Sequence, residues 1–325
     1  MLRLFGPGCD GCVVDATPPA VVPPGATWLD LLEPTRDEER LVEQFTGVEV
    51  PTREEMAEIE PSSRFYQRGG AIYMTLSTLF GVDEGAPSSE PIGFVLTKDR
   101  LVTVRYADPK PLRCFADHLC REPELANDAL TVLVRLLDAI IDRLADEIEA
   151  SGAEVERISA HIFRRDPNVR RRIPAERLEA LLVRIGRAQS LLARIRETAV
   201  SASRLVGYLA ATTRLQQDAT ELEHVRSLAG DVGSLIDHST FLAGNLTFLL
   251  DASLGLISVE QNAAIKVFSV AALIFLPPTL VAGIYGMNFA HMPELTWLAG
   301  YPWALGLMLV SAVLPYWFFR RRGWL

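Results

Sequence analysis

Three groups of residues in this chain have types and spacings that could do chemistry. The first is a stripe, Asn262, Ile265, Phe268, Ala272, Leu276, Thr279 and Gly283. Its steps of three and four place all seven residues on one helical face. An amide, a hydroxyl, small residues and large apolar ones suit a pore lined by rings of each; the same stripe also suits a plain helix–helix contact, and at this point both readings stand. Pro277-Pro278 interrupts the backbone bonding beside the stripe. Inside a bilayer, carbonyls freed in this way are tolerated only against protein or a watery cavity.

The second group is acidic. Between Leu205 and Asn262, two arginines (Arg214 and Arg226) stand against seven acids. Asp218, Glu221, Glu223, Asp231 and Asp237 are the candidates for a regulatory metal site, because crowded carboxylates repel and a bridging divalent cation relieves the repulsion. Ordinary surface acids are the other reading of each. The third group is basic, with 11 Arg against 4 acids between Arg164 and Arg204. Such a run could bind phosphate or lipid headgroups, but more commonly forms a solvated helical face, here paired with the acidic helices near residues 37–60.

Other chemistries find little footing. Cys9 and Cys12 form a CxxC, but no second CxxC or paired His at zinc spacing accompanies it. The five histidines are scattered and form no HExxH, and no GxGxxG or GxxxxGK[ST] occurs, so neither an enzyme nor an organic cofactor is expected.

The elements that must position these groups fall in two regimes. Up to about residue 125 the pattern is α/β. Trp28–Leu32, Ala71–Phe80, Ile92–Leu96 and Leu101–Arg105 read as strands, with Lys98–Arg100 as a hairpin turn. Thr35 with Glu38 and Thr52 with Glu55 have the capping-box spacing that starts a helix. From Asn127 the period becomes helical, with Leu130, Leu133, Leu137, Ile140, Leu144 and Ile148 on one face. Another helix begins after Pro174, at Leu178, Leu181, Leu182 and Ile185. No proline follows until Pro277, so one very long helix, or two with a soft break near Gly230–Gly233, runs toward the C-terminus.

The 325 residues are 49% hydrophobic, with net charge −9 and mean hydropathy +0.17. The apolar excess lies in two charge-free stretches, Val267–Tyr285 and Leu295–Phe319. Each is long enough to cross a bilayer core of about 30 Å as a helix. This excludes a disordered chain, a collagen-like fibre and a purely soluble enzyme, and the acidic balance argues against nucleic acid as a partner. Met1–Phe5 carries one Arg and Gly6–Gly11 interrupts any apolar run, so no secretory signal is expected. Lys266 precedes the first stretch and Arg320–Arg322 follow the second, whereas the loop between has no Lys or Arg. The positive-inside rule then puts both termini in the cytoplasm and the loop outside. The organisation expected is α+β: a cytoplasmic α/β domain (1–125), a cytoplasmic helical region with a long stalk helix (126–262), a first transmembrane helix (263–285), an external loop (286–294), a second transmembrane helix (295–319) and a basic tail (320–325). Two helices leave no interior, so a conducting protein needs several copies around an axis.

The outer end of the first stretch, Tyr285-Gly286-Met287-Asn288-Phe289, followed by Met292-Pro293-Glu294-Leu295, resembles the signature of the CorA family of divalent-cation channels. The resemblance runs from Val259-Glu260-Gln261-Asn262 through Phe275–Thr279 to the terminal Arg321–Leu325, and over the rest of the chain it is architectural only. It implies a funnel-shaped homopentamer in a bacterial inner membrane, moving Mg²⁺ and also Co²⁺, with Ni²⁺ a further candidate, and gated by cytoplasmic Mg²⁺. It further implies a selectivity filter at Gly286, Met287 and Asn288, with Tyr285, Phe289 and Glu294 in the external loop. Ala290 stands where many members carry Glu, which removes one carboxylate per subunit from the mouth. The alternative within transport is the related zinc-transporting ZntB branch, which carries GIN where this chain has GMN.

Overall fold

The computed structural model describes residues 1–14, 21–58, 60–163, 175–287, 293 and 297–322. Strands β1 (Leu2–Gly6), β2 (Cys9–Val14), β3 (Trp28–Leu32), β4 (Phe65–Arg68), β5 (Ala71–Phe80), β6 (Ser88–Leu96) and β7 (Leu101–Arg105) form one sheet in the order β2-β1-β3-β7-β6-β5-β4. Every pairing is antiparallel except β3 with β7, in which Trp28 stands beside Leu101 and Asp30 beside Thr103. β5 and β7 are almost wholly buried, as their β-branched and aromatic content requires.

Helices α1 (Arg36–Thr46) and α2 (Arg53–Ala57) start at complete capping boxes, where Thr35 and Thr52 accept from the backbone N–H of Glu38 and Glu55. A short α3 (Pro61–Arg64) precedes β4, and α4 (Lys110–Arg121) follows β7. β1, β2, β4 and α4 were not expected from the sequence. β1 and β2 are joined by a tight Pro7-Gly8 turn inside a segment whose glycines and cysteines mask its alternation. The proline-broken start of α4 hides its later apolar face, Leu112, Phe115, Ala116 and Leu119.

Three long helices follow: α5 (Ala129–Phe163), α6 (Ala175–Ala210) and, after the single turn α7 (Thr213–Gln216), α8 (Ala219–Tyr285). On α6 the buried residues Leu178, Leu181, Ile185, Ala188, Leu192, Ile195, Ala199, Ala202, Val206 and Leu209 alternate steps of three and four without a slip. Val225, Leu228, Val232, Ser239, Leu242, Leu246 and Leu249 keep the same rhythm on α8. That is the seam spacing of coiled-coil packing. The break between α6 and α8 lies at residues 211–218. The glycines expected to soften the helix, Gly230 and Gly233, sit within unbroken α8. Asp218 starts α8, its Oδ1 accepting from the N–H groups of Thr220 and Glu221 at 3.1 Å each. The Asp-x-x-Glu spacing that marks this start was open to reading in the sequence.

Two buried hydroxyls, one on α5 and one on α6, carry a cost. The hydroxyls of Thr198 and Ser151 are buried and have no hydrogen-bond partner. An unsatisfied buried hydroxyl costs about 1–3 kcal/mol. Thr198→Val, which keeps the shape and removes the orphan, should therefore stabilise the protein by about 1 kcal/mol, read as a rise in unfolding midpoint.

The chain divides into two units, one comprising Met1–Pro167 and Glu179–Leu250, the other Asn168–Leu178 and Asp251–Leu325. In the second, α8 continues to Tyr285 and α9 spans Gly300–Arg321. These two helices are long and apolar enough to cross a membrane. α9 begins five residues later than the apolar stretch that predicted it. Pro302 then falls in its first turn, where a missing N–H leaves no helical bond unmade.

Candidate functional site

The seven stripe residues all lie on the unbroken C-terminal part of α8, and all seven are exposed. Ile265, Phe268 and Leu276 are 61%, 77% and 72% exposed, far beyond what a helix of this composition leaves bare in a core. The half-buried residues of the same segment are Ala264, Val270, Ala271, Ile274, Pro277, Pro278, Val281 and Tyr285. At 100° per residue their mean direction lies about 165° from that of the bare stripe, so they occupy the opposite face. α9 has one sheltered stripe of its own, with Ala304 buried and Met308, Ser311, Pro315 and Phe319 half-buried. Each apolar helix thus has one shielded side, and on α8 the mixed polar stripe is not on it.

An open groove of about 720 Å³ follows α8, and Ala272, Leu276, Thr279, Gly283 and Met287 contribute to its wall. Thr279 Oγ1 donates to the carbonyl of Phe275 at 2.7 Å, which orients the hydroxyl lone pairs outward as acceptors. Pro277 and Pro278 withhold the N–H groups that would bond the carbonyls of Leu273 and Ile274 four residues back. The oriented Thr279 hydroxyl offers water, or a hydrated cation, a neutral acceptor on the stripe, whereas the freed Ile274 carbonyl belongs to the sheltered side.

α8 ends where the motif begins. Gly286 N–H donates to Ala282 O at 2.9 Å and Met287 N–H to Ile284 O at 3.2 Å. A Cβ at Gly286 would fall 2.9 Å from the Ala282 carbonyl oxygen, so only glycine closes the helix in this way. Tyr285 is half-buried and Met287 is 48% exposed. Asn288, Phe289 and Glu294 lie outside the described residues.

The acidic candidates are not gathered within one chain. Asp218 is engaged as the cap of α8, and Glu221 Oε1 accepts from Thr131 Oγ1 at 3.0 Å. Glu223, Asp231 and Asp237 are exposed. Among the described residues no group of three His, Cys, Asp or Glu converges on a metal position. One concentration of charge was missed: Asp138, Asp142 and Asp146 follow each other at four-residue steps on α5. The carboxyl of Asp142 is held above its ordinary range, first by desolvation and then by the charges of Asp138, Asp146 and Asp231. The i, i+4, i+8 spacing was the available signal. His224 Nε2 stands 3.7 Å from Asp138 Oδ2 beside it.

The basic run does not pair as expected. Arg184 of α6 reaches Glu154 of α5 at 2.7 Å. Among the described residues no arginine between 177 and 204 pairs with a carboxylate of residues 37–60. The carboxylate that Arg184 meets belongs to a neighbouring long helix, not to the acidic helices of the sheet domain. Arg164, Arg165 and Arg170–Arg172 lie outside the described residues.

Comparison with known proteins bears on the whole chain. The family described as CorA-like Mg²⁺ transporter protein matches residues 24–321. The magnesium transport protein CorA of Pasteurella multocida is 34% identical over 300 residues, 92% of each chain. The complete structure of the CorA magnesium transporter from Methanocaldococcus jannaschii shares the fold with a TM-score of 0.75 at 18% identity, over 96% of this chain and 98% of that one. The ZntB cytoplasmic domain from Vibrio parahaemolyticus is more distant, with a TM-score of 0.53 at 12% identity, over 74% of this chain and 95% of that one.

Proposed function

Since the chain belongs to the family of CorA-like Mg²⁺ transporter proteins, which move divalent cations and are not enzymes, we propose that it carries Mg²⁺, and Co²⁺ with it, through a pore walled by α8. The observation that carries this reading is the bare stripe from Asn262 to Gly283, set opposite the sheltered side of one continuous helix. A lipid-facing surface has no use for an amide and a hydroxyl, and a single hairpin encloses nothing. Several copies must therefore face an axis with this stripe; five is the number that the resemblance implies.

Residues 1–125 and 126–262 then form the cytoplasmic part, with 263–285 crossing the inner membrane. Residues 286–294 form the outer loop, the second span returns within α9, and 320–325 is a basic tail inside. Mg²⁺ holds its octahedral water shell tightly. At the mouth, rings of Asn288 amides and Gly286 carbonyls, framed by Tyr285, Met287 and Phe289, take the ion through its waters, and Glu294 adds mild negative charge. Neutral acceptors suit passage because an ion must leave as readily as it binds. Thr279 and Asn262 supply further polar rings; Ile265, Phe268 and Leu276 are constrictions that close by dewetting. Cytoplasmic Mg²⁺ would hold the pore shut by bridging acids between neighbouring copies. With Asp218 and Glu221 engaged inside the chain, Glu223, Asp231 and Asp237 are the exposed ones left for that bridging.

The zinc reading has less support, given the more distant likeness to ZntB and the methionine at 287. No energy-coupling site is needed, since a divalent ion moving to a negative interior gains about 4.6 kcal/mol per 100 mV. In liposomes made negative inside by a K⁺ gradient, Mg²⁺ influx should rise with the imposed potential and be competed by Co²⁺. Influx of Zn²⁺ in preference to Mg²⁺, or none at all, would sink the reading.

A further inference from the structure

The unit that carries the sheet has a cavity of about 590 Å³ between α6, α8 and the start of β4, and we propose that it binds a nucleoside polyphosphate. Its wall carries three guanidinium groups, Arg64, Arg196 and Arg204, and one carboxylate, Glu197. Arg64 is the most informative. Its Nε donates to the carbonyl of Glu58 at 2.7 Å and its Nη1 to Ser77 Oγ at 3.3 Å, both neutral acceptors. Ser77 is itself fixed, since it is buried and its backbone N–H donates to the buried Ser201 Oγ at 3.0 Å. The half-buried guanidinium is therefore held in one orientation with its charge uncompensated. Among the described residues no carboxylate lies within ion-pair distance of Arg64, Arg196 or Arg204.

A half-buried cation without a counter-ion, as Arg64 is, gains most from an anion brought to it, and planar guanidinium forks such as those of the exposed Arg196 and Arg204 fit phosphate oxygens best. Arg196 and Arg204 are eight residues apart on α6 with Val200 between them, so both line the same edge. Between the cations the wall is mixed: Phe65, Leu192, Val200 and Ala243 are apolar, and Ser77, Gln189, Ser201 and Ser239 are polar. Phe65 is held by Tyr208, the ring centroids 5.5 Å apart and the planes tilted by 37°, so one aromatic ring, that of Phe65, faces the cavity. An inorganic phosphate would leave that ring bare, whereas a nucleotide uses both parts, its base on the aromatic side and its phosphates among the arginines. The volume lies within the usual range of about 300–1,000 Å³ for small-molecule sites. The ligand is chemically apt, because Mg²⁺ is carried by phosphate oxygens and a protein that admits the ion would here meet the species that complexes it.

The site lies in one unit and owes nothing to the pore, so a binding measurement tests it apart from transport. The full-length assembled protein is titrated calorimetrically with ATP in EDTA, and separately with pyrophosphate. ATP should bind with a sub-millimolar Kd, about tenfold or more tighter than pyrophosphate. The double variant Arg196→Gln/Arg204→Gln, on an exposed face where folding is not at risk, should weaken ATP at least about tenfold, as should Arg64→Gln. Glu197→Gln should tighten it severalfold by removing a repelling charge, which a merely structural role would not do. No ATP binding to the assembled protein overturns the proposal. So does a Kd unchanged in the double variant, or pyrophosphate bound as tightly as ATP.

Discussion

Asn288→Ala should abolish Mg²⁺ uptake into liposomes while leaving the assembled mass and the thermal unfolding of the protein unchanged. The reason is the hydration of the ion. A filter that accepts Mg²⁺ with its waters must offer lone pairs where those waters point, and the amide oxygen does so without the charge that would trap the ion. Alanine offers none. Removing even two hydrogen bonds to a cation's shell, at about 1.5 kcal/mol each, costs about a hundredfold, and a ring of copies removes more. Asn288→Asp is expected to fail differently: carboxylates at the mouth raise affinity, so uptake falls at high Mg²⁺ because release becomes slow. Flux measured against Mg²⁺ concentration separates the two. A protein whose membrane hairpin serves only as an anchor for a cytoplasmic binding domain would transport nothing in either form, and wild-type flux with an unimpaired Asn288→Ala variant would place the filter elsewhere.

The parts of this molecule that sequence reveals are those fixed by local physics. Thr35 and Thr52 specify their helix starts because a capping box is complete within four residues. The strands Trp28–Leu32, Ala71–Phe80 and Leu101–Arg105 were legible because their β-branched and aromatic runs are bounded by turn residues. The stripe on α8 was legible because helical period alone assigns its face, but whether that face is bare or covered depends on packing that no spacing encodes. What escaped depends on partners distant in the chain. β1 and β2 are strands because each has a neighbour to pair with. Asp218 and Glu221, among the metal candidates for their charge, are drawn into a helix cap and a bond to Thr131, ninety residues away in the case of Glu221. Arg64 did not stand out at all, since its meaning lies in two neutral acceptors and a missing carboxylate.

The largest loss of stability is expected at a pair that sequence reading also passed over. Asp30 and Arg105 are 0% and 1% exposed on β3 and β7, the one parallel pairing of the sheet, where β2-β1-β3 joins β7-β6-β5-β4. Asp30 Oδ1 accepts from Thr103 Oγ1 at 2.7 Å and from Arg105 Nε at 3.0 Å, and Oδ2 accepts from Nη2 at 2.8 Å. Trp28 Nε1 donates to Thr103 Oγ1 at 2.9 Å, and Arg105 Nη1 donates to Ala107 O at 3.0 Å and to Asp108. Burial alone would lower the pKa of Arg105, but the bonds and charge of Asp30 outweigh it and hold the guanidinium protonated. Because each guanidinium nitrogen has an acceptor and both Asp30 oxygens have donors, loss of one partner strands the other. Asp30→Asn turns an amide N–H toward guanidinium donors, and Arg105→Met leaves a carboxylate in the core. Each should cost about 3–5 kcal/mol, a large share of the roughly 5–15 kcal/mol that holds a domain folded. The unfolding midpoint should fall by roughly 10 °C. The double variant Asp30→Leu/Arg105→Met, which replaces the ions with apolar volume, should recover much of the loss, since a buried pair is costly to break but not to exchange. If the double variant is as unstable as the two single losses added together, the pair contributes nothing as a pair. The seam between the two halves of the sheet would then be held by its backbone ladder and apolar faces alone.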